Sequence, residues 1–481
     1  MDYVKRNTKR YNFKSPNLTK LRKLGSLVSS PEDFRGHYGK LLSILKTNME
    51  EGILNTLVQF YDPLYHCFTF PDFQLVPTLE EYSYLVGLPI PDKVPFTGLE
   101  PTPKPQTIAN ALHLETSLVK ANLIPKEGLL GLPSKFLYQQ ASVFAEIASN
   151  DAFYSILALL IYGLVLFPNI DNFVDINTIQ IFLSKNPVPT LLADTYHSIH
   201  HRTQKGTGVI ICCTPVLYRW FIAHLPQTAC FKENPSKLRW SQRIMSLTST
   251  DIVWYNAAYD VGAIIDSCGE FPNVPLLGML GGISYNPILA RRQFGYHIKD
   301  KPNNLLLTNV FYLNQEGSSD TRNRCVQAWR TIHRKEKNQL GRRLGYVSES
   351  YNQWVIDRAA KLGMPYPIQR PLSSVTSSSL SSPLPFDTKE EFQEILAELS
   401  RERDAWKTRC QIAERENETL RGKLEQKDHE LFAQSQEIVK KNVLLQRKNS
   451  LLRSDPKRRK HNMDLFTGSQ SDSDDPHTSE V

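Results

Sequence analysis

A stretch rich in proline and serine, residues 365–388, divides the chain into parts that cannot share one core. Its sequence, PYPIQRPLSSVTSSSLSSPLPFDT, has no periodic hydrophobicity. Because such a composition buries too little apolar surface to offset the entropy of folding, it predicts a flexible linker. In chain order, the predicted parts are a flexible basic arm (1–30), a helical domain (31–366), the linker (367–388), a coiled coil (389–453) and a disordered tail that begins with a basic cluster (454–481).

The segment after the linker carries apolar residues at heptad spacing. The pattern extends over 61 residues, from Phe392 to Leu452, or roughly 90 Å of helix at about 1.5 Å per residue. A helix so long and so polar on its outer face needs a partner helix. Asn417 at an a position pairs best with its own copy and therefore predicts a parallel homodimer. The predicted interface residues are Leu396, Leu399, Trp406, Asn417, Leu420, Leu424, Leu431, Ile438, Leu445 and Leu452.

A run of four cations follows the predicted coiled coil. Such a run in a disordered flank predicts a nuclear import signal. The alternative is a basic cap at a helix C-terminus, which the helix dipole favours. Residues 469–475, farther on, are acidic and serine-rich, which suits phosphorylation by acid-directed kinases. We therefore expect a nuclear protein. The predicted import signal consists of Lys457, Arg458, Arg459 and Lys460.

The net charge of +8 is concentrated in patches. Residues 1–23 carry eight Lys/Arg against one acid, and residues 289–343 carry twelve against four. Patches of this kind suit contact with nucleic acid or with an acidic protein. Solubility is the alternative explanation.

The second basic patch, residues 289–343, interleaves its cations with aromatic residues that include Tyr296 and Trp329. Cations bind phosphates and aromatic rings stack on bases, so this pattern favours nucleic-acid binding. However, Cys325, Trp329 and Ile332 follow helical spacing, and we expect them to face the core. A solvated basic helix is therefore an equally good interpretation.

The clearest local signals lie between residues 67 and 90. Apolar residues alternate on both sides of a Pro-Asp turn within residues 67–76, which predicts a small β-hairpin. Thr78 and Glu81 have the spacing of a capping box and predict the start of a helix. Gly87 is placed to end that helix.

Residues 152–167, AFYSILALLIYGLVLF, form a nearly continuous apolar run. They fall short of the roughly 20 residues that cross a bilayer core, so we predict a helix buried in the protein and no membrane contact. Helical spacing also covers residues 38–58, weakened locally at Gly52, and residues 188–224. The predicted fold class is mainly α: a helical globular domain with a small β-hairpin, followed by a separate long coiled-coil helix.

Neither the cysteines nor the histidines form a recognised metal site. The seven cysteines include no C-x-x-C pair, and the N-terminus lacks the apolar region of a secretory signal, so we expect reduced thiols inside the cell. The clustered residues His197, His200 and His201 lack a cysteine or carboxylate at the usual ligand spacing. We expect ordinary surface or core histidines.

Two further groups could carry chemistry. The first would place a thiol beside a base and an acid, but it flanks an aromatic strand and we expect it in the core. Its members are Asp62, His66 and Cys67. The second could supply the converging carboxylates of a metal-dependent nuclease, although sequence does not show convergence. Its members are Asp251, Asp260 and Glu270. We assign no catalytic, cofactor-binding or metal-binding residue.

Residues 60–82, FYDPLYHCFTFPDFQLVPTLEEY, resemble the opening of a plant-specific domain of unknown function. That domain is abundant in legumes and is similar to the plant mobile domain, which is sometimes labelled aminotransferase-like. Residues 78–81 and 87–90 match the Thr-Leu-Glu-Asp/Glu and Gly-Leu-Pro pattern of plant mobile domains. The resemblance covers roughly residues 30–366. Further matching segments are GGISYNP (281–287), RQFGY (292–296), YNQWV (351–355) and MPY (364–366).

The resemblance implies a helical domain carried by transposable elements and by host genes derived from them. Plant mobile domain proteins have nuclear roles in transposon silencing and gene expression. The aminotransferase label finds no support, because no lysine has the sequence context of a pyridoxal-phosphate site. We therefore expect a non-enzymatic nuclear regulatory or scaffold protein of transposable-element origin. The alternatives are a transposase-related nuclease and a gag-like structural protein of a plant element.

Overall fold

A computed structural model describes most of the chain before the linker. The chain divides into two compact units, Met1–Ser377 and Ser378–Val481. The boundary falls within the stretch rich in proline and serine. The described residues are 6–256, 262–298, 301–302, 310–312, 318–343 and 346–368, together with single residues and short runs between 415 and 448.

Helices are the commonest secondary structure of the first unit. They are α1 (Thr19–Gly25), α2 (Pro31–Tyr38), α3 (Leu41–Leu45), α4 (Ile53–Leu57), α5 (Leu79–Val86), α6 (Pro105–Leu112), α7 (Thr116–Asn122), α8 (Ser134–Glu146), α9 (Asn150–Ile161), α10 (Ile176–Ser184), α11 (Val188–Lys205), α12 (Thr214–His224), α13 (Ala229–Glu233), α14 (Trp240–Met245), α15 (Pro287–Ala290), α16 (Ser318–Ala328), α17 (Lys337–Leu340) and α18 (Glu349–Leu362). Short 3₁₀ turns at Val58–Phe60 and Arg291–Phe294 and a π-helical turn at Tyr162–Leu166 complete the helical elements.

Strands in the described ranges form five small sheets. They are β1 (Arg10–Phe13), β2 (Tyr61–Asp62), β3 (Cys67–Thr69), β4 (Gln74–Leu75), β5 (Ile124–Lys126), β6 (Leu129–Pro133), β7 (Phe173–Asp175), β8 (Thr207–Ile210), β9 (Ala263–Cys268), β10 (Val274–Leu277), β11 (Gly281–Tyr285), β12 (Phe311–Tyr312) and β13 (Ile332–Glu336). The sheet orders are β1-β8, β2-β3-β4, β5-β6-β7, β10-β11-β12 and β13-β9. The β1–β8 pair is parallel, and every other pair is antiparallel.

The predicted fold class was wrong, because the structure is about 51% helical with 14% in strands that form several sheets. The strands are two to six residues long. Many are buried on both faces, so they lack the alternation that marks a half-buried strand. A first unit of mixed α and β structure replaces the predicted helical domain with one hairpin.

A long coiled-coil helix is not shown either. The described residues between 415 and 448 are helical and exposed. Of the predicted interface residues, Leu445 is described and is 56% exposed, while the other nine lie outside the described residues. The predicted import signal at residues 457–460 also lies outside them. These assignments therefore stay predictions from the sequence.

The local signals between residues 67 and 90 were confirmed. β3 and β4 pair as the predicted hairpin, with β2 as a third strand. The side chain of Thr78 accepts a hydrogen bond from the Glu81 amide at 3.2 Å, and the Glu81 carboxylate accepts one from the Thr78 amide at 3.2 Å. Gly87 ends α5 with φ +75°, and a Cβ there would lie 2.8 Å from the Lys40 amide nitrogen. Both its conformation and its close neighbour therefore require glycine.

The apolar run at residues 152–167 is buried as predicted. It forms most of α9 and the following π-helical turn, and its residues pack into the single hydrophobic cluster of the first unit. Gly163 lets the turn approach β7, since a Cβ there would lie 2.5 Å from a methyl group of Val174. None of the helices in the described ranges combines the length and apolarity needed to span a bilayer.

The predicted flexible arm was wrong from residue 10 onward. β1 pairs with β8, placing Arg10 opposite Thr207 and Phe13 opposite Ile210. α1 then packs against α9, and its apolar residues, including Leu21, are buried. The many charges in this segment conceal an apolar pattern that tertiary contacts complete.

Two predicted helices are interrupted. Residues 38–58 form α3 and α4 with an irregular stretch between them, and Gly52, at φ +82°, is the N-cap residue that precedes α4. Residues 188–224 form α11 and α12 with β8 between them. Gly206 ends α11 in the left-handed conformation and sends the chain into β8. α11 is buried along most of its length, where it packs against α5, β8, β10 and β11.

Candidate anion-binding groove

A groove of about 780 Å³ lies between the N-terminal segment and the start of α8. The segment reaches this position because β1 pairs with β8 and α1 packs against α9. The Lys14 amide extends that pairing by donating a hydrogen bond of 3.0 Å to the Ile210 carbonyl. We call this cavity the lysine groove, and its polar lining includes Lys14, Lys20, Ser134, Lys135, Tyr138 and Asp171.

The charges along the lysine groove do not cancel. Lys14 Nζ lies 2.7 Å from Asp171 Oδ1, and this hydrogen bond and charge pair lower the pKa of the Asp171 carboxyl. Lys20 and Lys135 have no acidic partner among the described residues. Lys20 Nζ instead lies 5.7 Å from the centre of the Tyr138 ring. Two positive charges in the groove are therefore uncompensated.

The N-terminus of α8 adds further hydrogen-bond donors to the same groove. Pro133 is the N-cap residue and supplies no side-chain cap. The Ser134 amide donates to the Asn172 carbonyl at 3.0 Å, while the next amides of the first turn have no acceptor within the helix. The Ser134 residue is 4% exposed, and its hydroxyl makes no hydrogen bond within the described part of the chain. A helix start with free donors and partial positive charge binds anions.

The polar side chains that line the lysine groove suit an anionic ligand. Burial raises the pKa of Tyr138 to about 12, so its phenol keeps its proton and can donate a hydrogen bond. The described residues that line the groove include no histidine and no cysteine. Its carboxylate, Asp171, is engaged by Lys14. Its remaining polar groups are cations and hydrogen-bond donors of the kind that hold an oxyanion.

A second cavity, of about 350 Å³, lies where α6 and α10 end. Tyr38, Tyr162 and Phe182 line it, and the Tyr38 and Phe182 rings stack with centres 6.2 Å apart. His113 and Lys185 also line it, and each ends its helix at a positive φ where glycine is the commonest residue. This cavity is therefore lined by both aromatic and basic side chains.

Four of the twelve cations in the second basic patch, residues 289–343, form ion pairs with acids from elsewhere in the same unit. Arg324 pairs with Glu270 at 2.7 Å, and Arg334 pairs with Asp92 at 2.7 Å. Arg324 and Arg334 connect a helix and a strand to loops through these ion pairs, so both side chains are less available to bind phosphates. Two more of its cations, Arg291 and Lys335, pair with Asp266 at 3.0 and 2.8 Å.

The predicted core positions in this patch were confirmed in part. Cys325 and Trp329 are buried, and Trp329 Nε1 donates a hydrogen bond of 2.6 Å to the Pro275 carbonyl. Ile332 is half-buried and begins β13 rather than continuing α16. Helical spacing therefore located two core residues but missed the change to a strand.

The three histidines of the predicted cluster lie on α11. His197 and His200 are buried and His201 is half-buried. The His200 ring lies 4.8 Å from that of His66, and burial lowers the pKa of His200 to about 3. Within the described ranges, no group of three or more His, Cys, Asp or Glu could hold a metal ion.

The residues of the imagined thiol site are core residues, as predicted. Asp62, His66 and Cys67 are all buried. The Asp62 carboxylate forms an ion pair with Arg358. Burial raises the pKa of the Cys67 thiol well above its usual value, so this thiol is neutral and a poor nucleophile.

The acidic candidates for a nuclease centre have structural partners. Asp251 Oδ2 accepts hydrogen bonds of 2.8 Å from the Thr248 amide and hydroxyl within its own turn. Glu270 forms the ion pair with Arg324. Asp260 lies outside the described residues.

Sequence reasoning missed the lysine groove. It assigned Lys14 and Lys20 to a flexible arm and gave no role to Ser134 or Lys135. The Pro133-Ser134 dipeptide is a helix-start signal that would have placed Lys135 in a first turn. No sequence signal brings that turn beside residues about 115 positions earlier; the β1–β8 pairing does so.

No curated protein and no solved structure matches the chain. No match links it to the plant mobile domain. One family of domains does match, over residues 21–360, which is more than half of the chain. The matched range contains the α8 side of the lysine groove and begins just after Lys20. The chain therefore belongs to the family described as Domain of unknown function (DUF7745).

Proposed function

We propose that this protein is a non-enzymatic nuclear regulatory or scaffold protein of transposable-element origin that binds nucleic acid through the lysine groove. The observation that carries the proposal is the pair of uncompensated cations, Lys20 and Lys135, beside the uncapped start of α8. Phosphate groups are the anions that such a site holds best, because they accept several hydrogen bonds and carry a full charge.

Cations continue from the groove along β1. Lys9 and Arg10 are exposed, and Lys205 ends α11 next to the start of β8. Lys14, which follows β1 directly, lines the groove itself. A row of cations suits a polymer with regularly spaced phosphates, and the half-buried Tyr138 ring adds a surface on which a base can stack. These features favour a nucleic-acid strand over an acidic peptide.

The nuclear and evolutionary parts of the proposal have separate support. The predicted import signal at residues 457–460 supports a nuclear location. The resemblance of residues 60–82 to the opening of a plant-specific domain that is similar to the plant mobile domain supports an origin in a transposable element. A fluorescent fusion with alanine at these four cations tests the location, because the wild-type fusion should concentrate in the nucleus and the variant should not.

Fluorescence anisotropy with labelled single strands tests the binding directly. We expect the wild-type chain to bind with an affinity that falls as salt rises from about 50 to 200 mM. The double variant Lys20→Glu/Lys135→Glu should bind more weakly, and its salt slope should be shallower by about 1.4, from two lost contacts at about 0.7 each.

The matched control reverses two exposed lysines elsewhere. Lys232 lies in α13 and Lys361 in α18, and both are exposed. Lys232→Glu/Lys361→Glu changes the net charge by the same amount and should retain most of the binding. Equal losses in the two double variants would mean that net charge, not the groove, governs binding. Tighter binding of an acidic peptide than of any strand would replace nucleic acid with a protein partner.

A further inference from the structure

The second cavity, where α6 and α10 end, has the size and lining of a site for a small ligand. Its volume of about 350 Å³ lies within the range of small-molecule sites, roughly 300–1,000 Å³. Tyr38, Tyr162 and Phe182 line it. The Tyr162 and Phe182 rings meet edge to face with centres 5.3 Å apart, and the Tyr38 and Phe182 rings are nearly parallel. These rings offer a planar ligand an aromatic surface.

The polar side chains of this cavity suit a negatively charged group. The hydroxyls of Tyr38 and Tyr162 make no hydrogen bond within the described residues. Burial raises the pKa of both phenols, so each keeps its proton and can donate a hydrogen bond. Lys185 forms no ion pair in the part of the chain that the structure describes. The described residues that line the cavity include no carboxylate, so an anion meets donors and a cation there.

Two residues of the lining have a backbone conformation that side chains rarely adopt. Lys185 ends α10 at φ +56°, and His113 ends α6 at φ +57°. Glycine adopts this left-handed conformation without the steric cost of a Cβ and is the commonest residue at such helix ends. Both helix ends therefore present a basic side chain to the cavity at a cost in backbone strain, which is a feature of binding sites.

We propose that this cavity binds a small planar aromatic carboxylate. The ring of the ligand packs against Tyr38 and Phe182, the Lys185 ammonium group pairs with the carboxylate, and the Tyr162 hydroxyl donates a hydrogen bond to it. The site is separate from the proposed nucleic-acid site, because the residues that line the two cavities do not overlap.

Charge favours a carboxylate over a phosphate as the anionic group. A phosphate monoester carries about −1.5 to −2 near neutral pH, whereas a carboxylate carries one negative charge. Lys185 is the one lysine or arginine among the described residues that line the cavity. Its single positive charge therefore balances a carboxylate but not a phosphate monoester.

Four small probes test the site in titrations of the full chain, followed by ligand-detected NMR. Naphthoate should bind with a Kd of about 1 mM or tighter, given the usual binding free energy per atom of small ligands. Naphthylmethanol keeps the ring without the charge and should bind about tenfold more weakly. Cyclohexanecarboxylate keeps the charge without the aromatic ring and should also bind more weakly. Naphthyl phosphate should bind no more tightly than naphthoate.

Glycine at position 185 separates loss of binding from loss of folding. Lys185→Gly removes the cation and relieves the strain at φ +56°, so its Tm should equal or exceed that of the wild type. It should bind naphthoate about tenfold more weakly and naphthylmethanol as tightly as the wild type does. Lys237→Gly is the matched control, because Lys237 is exposed at φ +50° and does not line the cavity. It should bind both probes like the wild type.

Tyr162→Phe tests the hydrogen bond. This variant keeps the ring and removes a hydroxyl that has no partner within the described residues, so its Tm should be unchanged. Its affinity for naphthoate should fall about tenfold, as for the loss of a hydrogen bond to a charged group.

Each contrary result overturns a stated part of the proposal. Equal binding of naphthoate and naphthylmethanol overturns the requirement for a charge. Naphthoate binding that neither Lys185→Gly nor Tyr162→Phe weakens overturns the assignment to this cavity. Tighter binding of naphthyl phosphate overturns the choice of a carboxylate. Failure of every probe to bind at ten times the expected Kd overturns the site, and the proposed binding of nucleic acid stands or falls separately.

Discussion

Arg358, on α18, donates two hydrogen bonds of 2.6 Å to the carboxylate of Asp62, on β2. Asp62 is fully buried, and the Arg358 side chain is 12% exposed. The two residues are 296 positions apart, so this pair fastens the last helix of the first unit to one of its earliest strands. This long-range ion pair therefore connects the C-terminal part of the unit to its N-terminal part.

The Arg358→Met variant tests this connection. It leaves the Asp62 carboxylate buried without its cation, and removing one partner of a buried ion pair costs about 3–5 kcal/mol. Urea unfolding should show a loss of this size in the free energy of unfolding. The double variant Asp62→Asn/Arg358→Met removes both charges and should be more stable than Arg358→Met. If the double variant is the less stable of the two, the isolated buried charge is not the cause.

Glu80 and Glu81 are adjacent on α5, and replacing each with glutamine should change the stability of the fold in opposite directions. Glu81 Oε2 accepts a hydrogen bond of 2.9 Å from Trp220 Nε1. Glu81 Oε1 accepts one of 2.9 Å from Gln293 Nε2 and also lies 2.9 Å from His224 Nε2. Glu81→Gln turns one acceptor into a donor that faces other donors. We expect a loss of about 3 kcal/mol in the free energy of unfolding.

Glu80 is the matched control for Glu81. Its Oε1 accepts one hydrogen bond of 2.7 Å from the Ile265 amide, and its Oε2 has no partner. Burial raises the pKa of Glu80 to about 7. Glu80→Gln keeps the acceptor for Ile265 and should be neutral or stabilising above about pH 7. Equal destabilisation by the two substitutions would contradict the difference in their hydrogen bonding.

Asp194 should make the fold less stable as pH rises. Its Oδ1 accepts a hydrogen bond of 2.8 Å from the Met279 amide, its Oδ2 has no partner, and burial raises the pKa of Asp194 to about 7. Between its unfolded pKa near 4 and pH 7, the unfolded state loses this proton while the folded state keeps it. Stability from this group therefore falls by up to about 1.4 kcal/mol per pH unit.

The Asp194→Asn variant should lack this fall. Its stability relative to the wild type should increase between about pH 4 and pH 7 in urea unfolding at each pH. Asp357→Asn, at an exposed position of α18, should show no such trend. A constant difference between Asp194→Asn and the wild type would show that Asp194 ionises as readily in the folded state as in the unfolded chain.

The contribution of His200 to stability should depend on pH in the opposite direction from that of Asp194. Burial lowers its pKa to about 3, so below pH 6.5 the unfolded state binds a proton that the folded state excludes. The stability that His200 contributes is present above pH 6.5 and is lost as pH falls toward 3. His200→Gln should unfold less steeply with acid than the wild type. Identical acid profiles would exclude His200 as a source of acid sensitivity.

The sequence predicted local features of the fold better than distant ones. The capping box of Thr78 and Glu81 was found, because its signal lies within four residues. The contacts of Glu81 with Trp220 and Gln293 were not, because they join residues 139 and 212 positions apart. Strands were missed for a related reason: β1 and β8 are short, and their partners lie far along the chain.

Prediction of the candidate site from the sequence was limited in the same way. The basic character of residues 1–23 was evident, but the burial of Leu21 and the pairing of β1 were not. The charge of residues 289–343 was equally evident, yet the acids that neutralise Arg324 and Arg334 come from other parts of the chain. Charge can be counted along a sequence, whereas its compensation depends on the fold.

Ultraviolet cross-linking of a single strand to the intact chain, followed by mass spectrometry of the linked peptides, tests the proposed function most directly. We predict cross-links at Tyr138 and in peptides that contain residues 9–20, since these line or adjoin the lysine groove. Cross-links confined to residues 289–343 would contradict the assignment of the groove and would return nucleic-acid binding to the second basic patch.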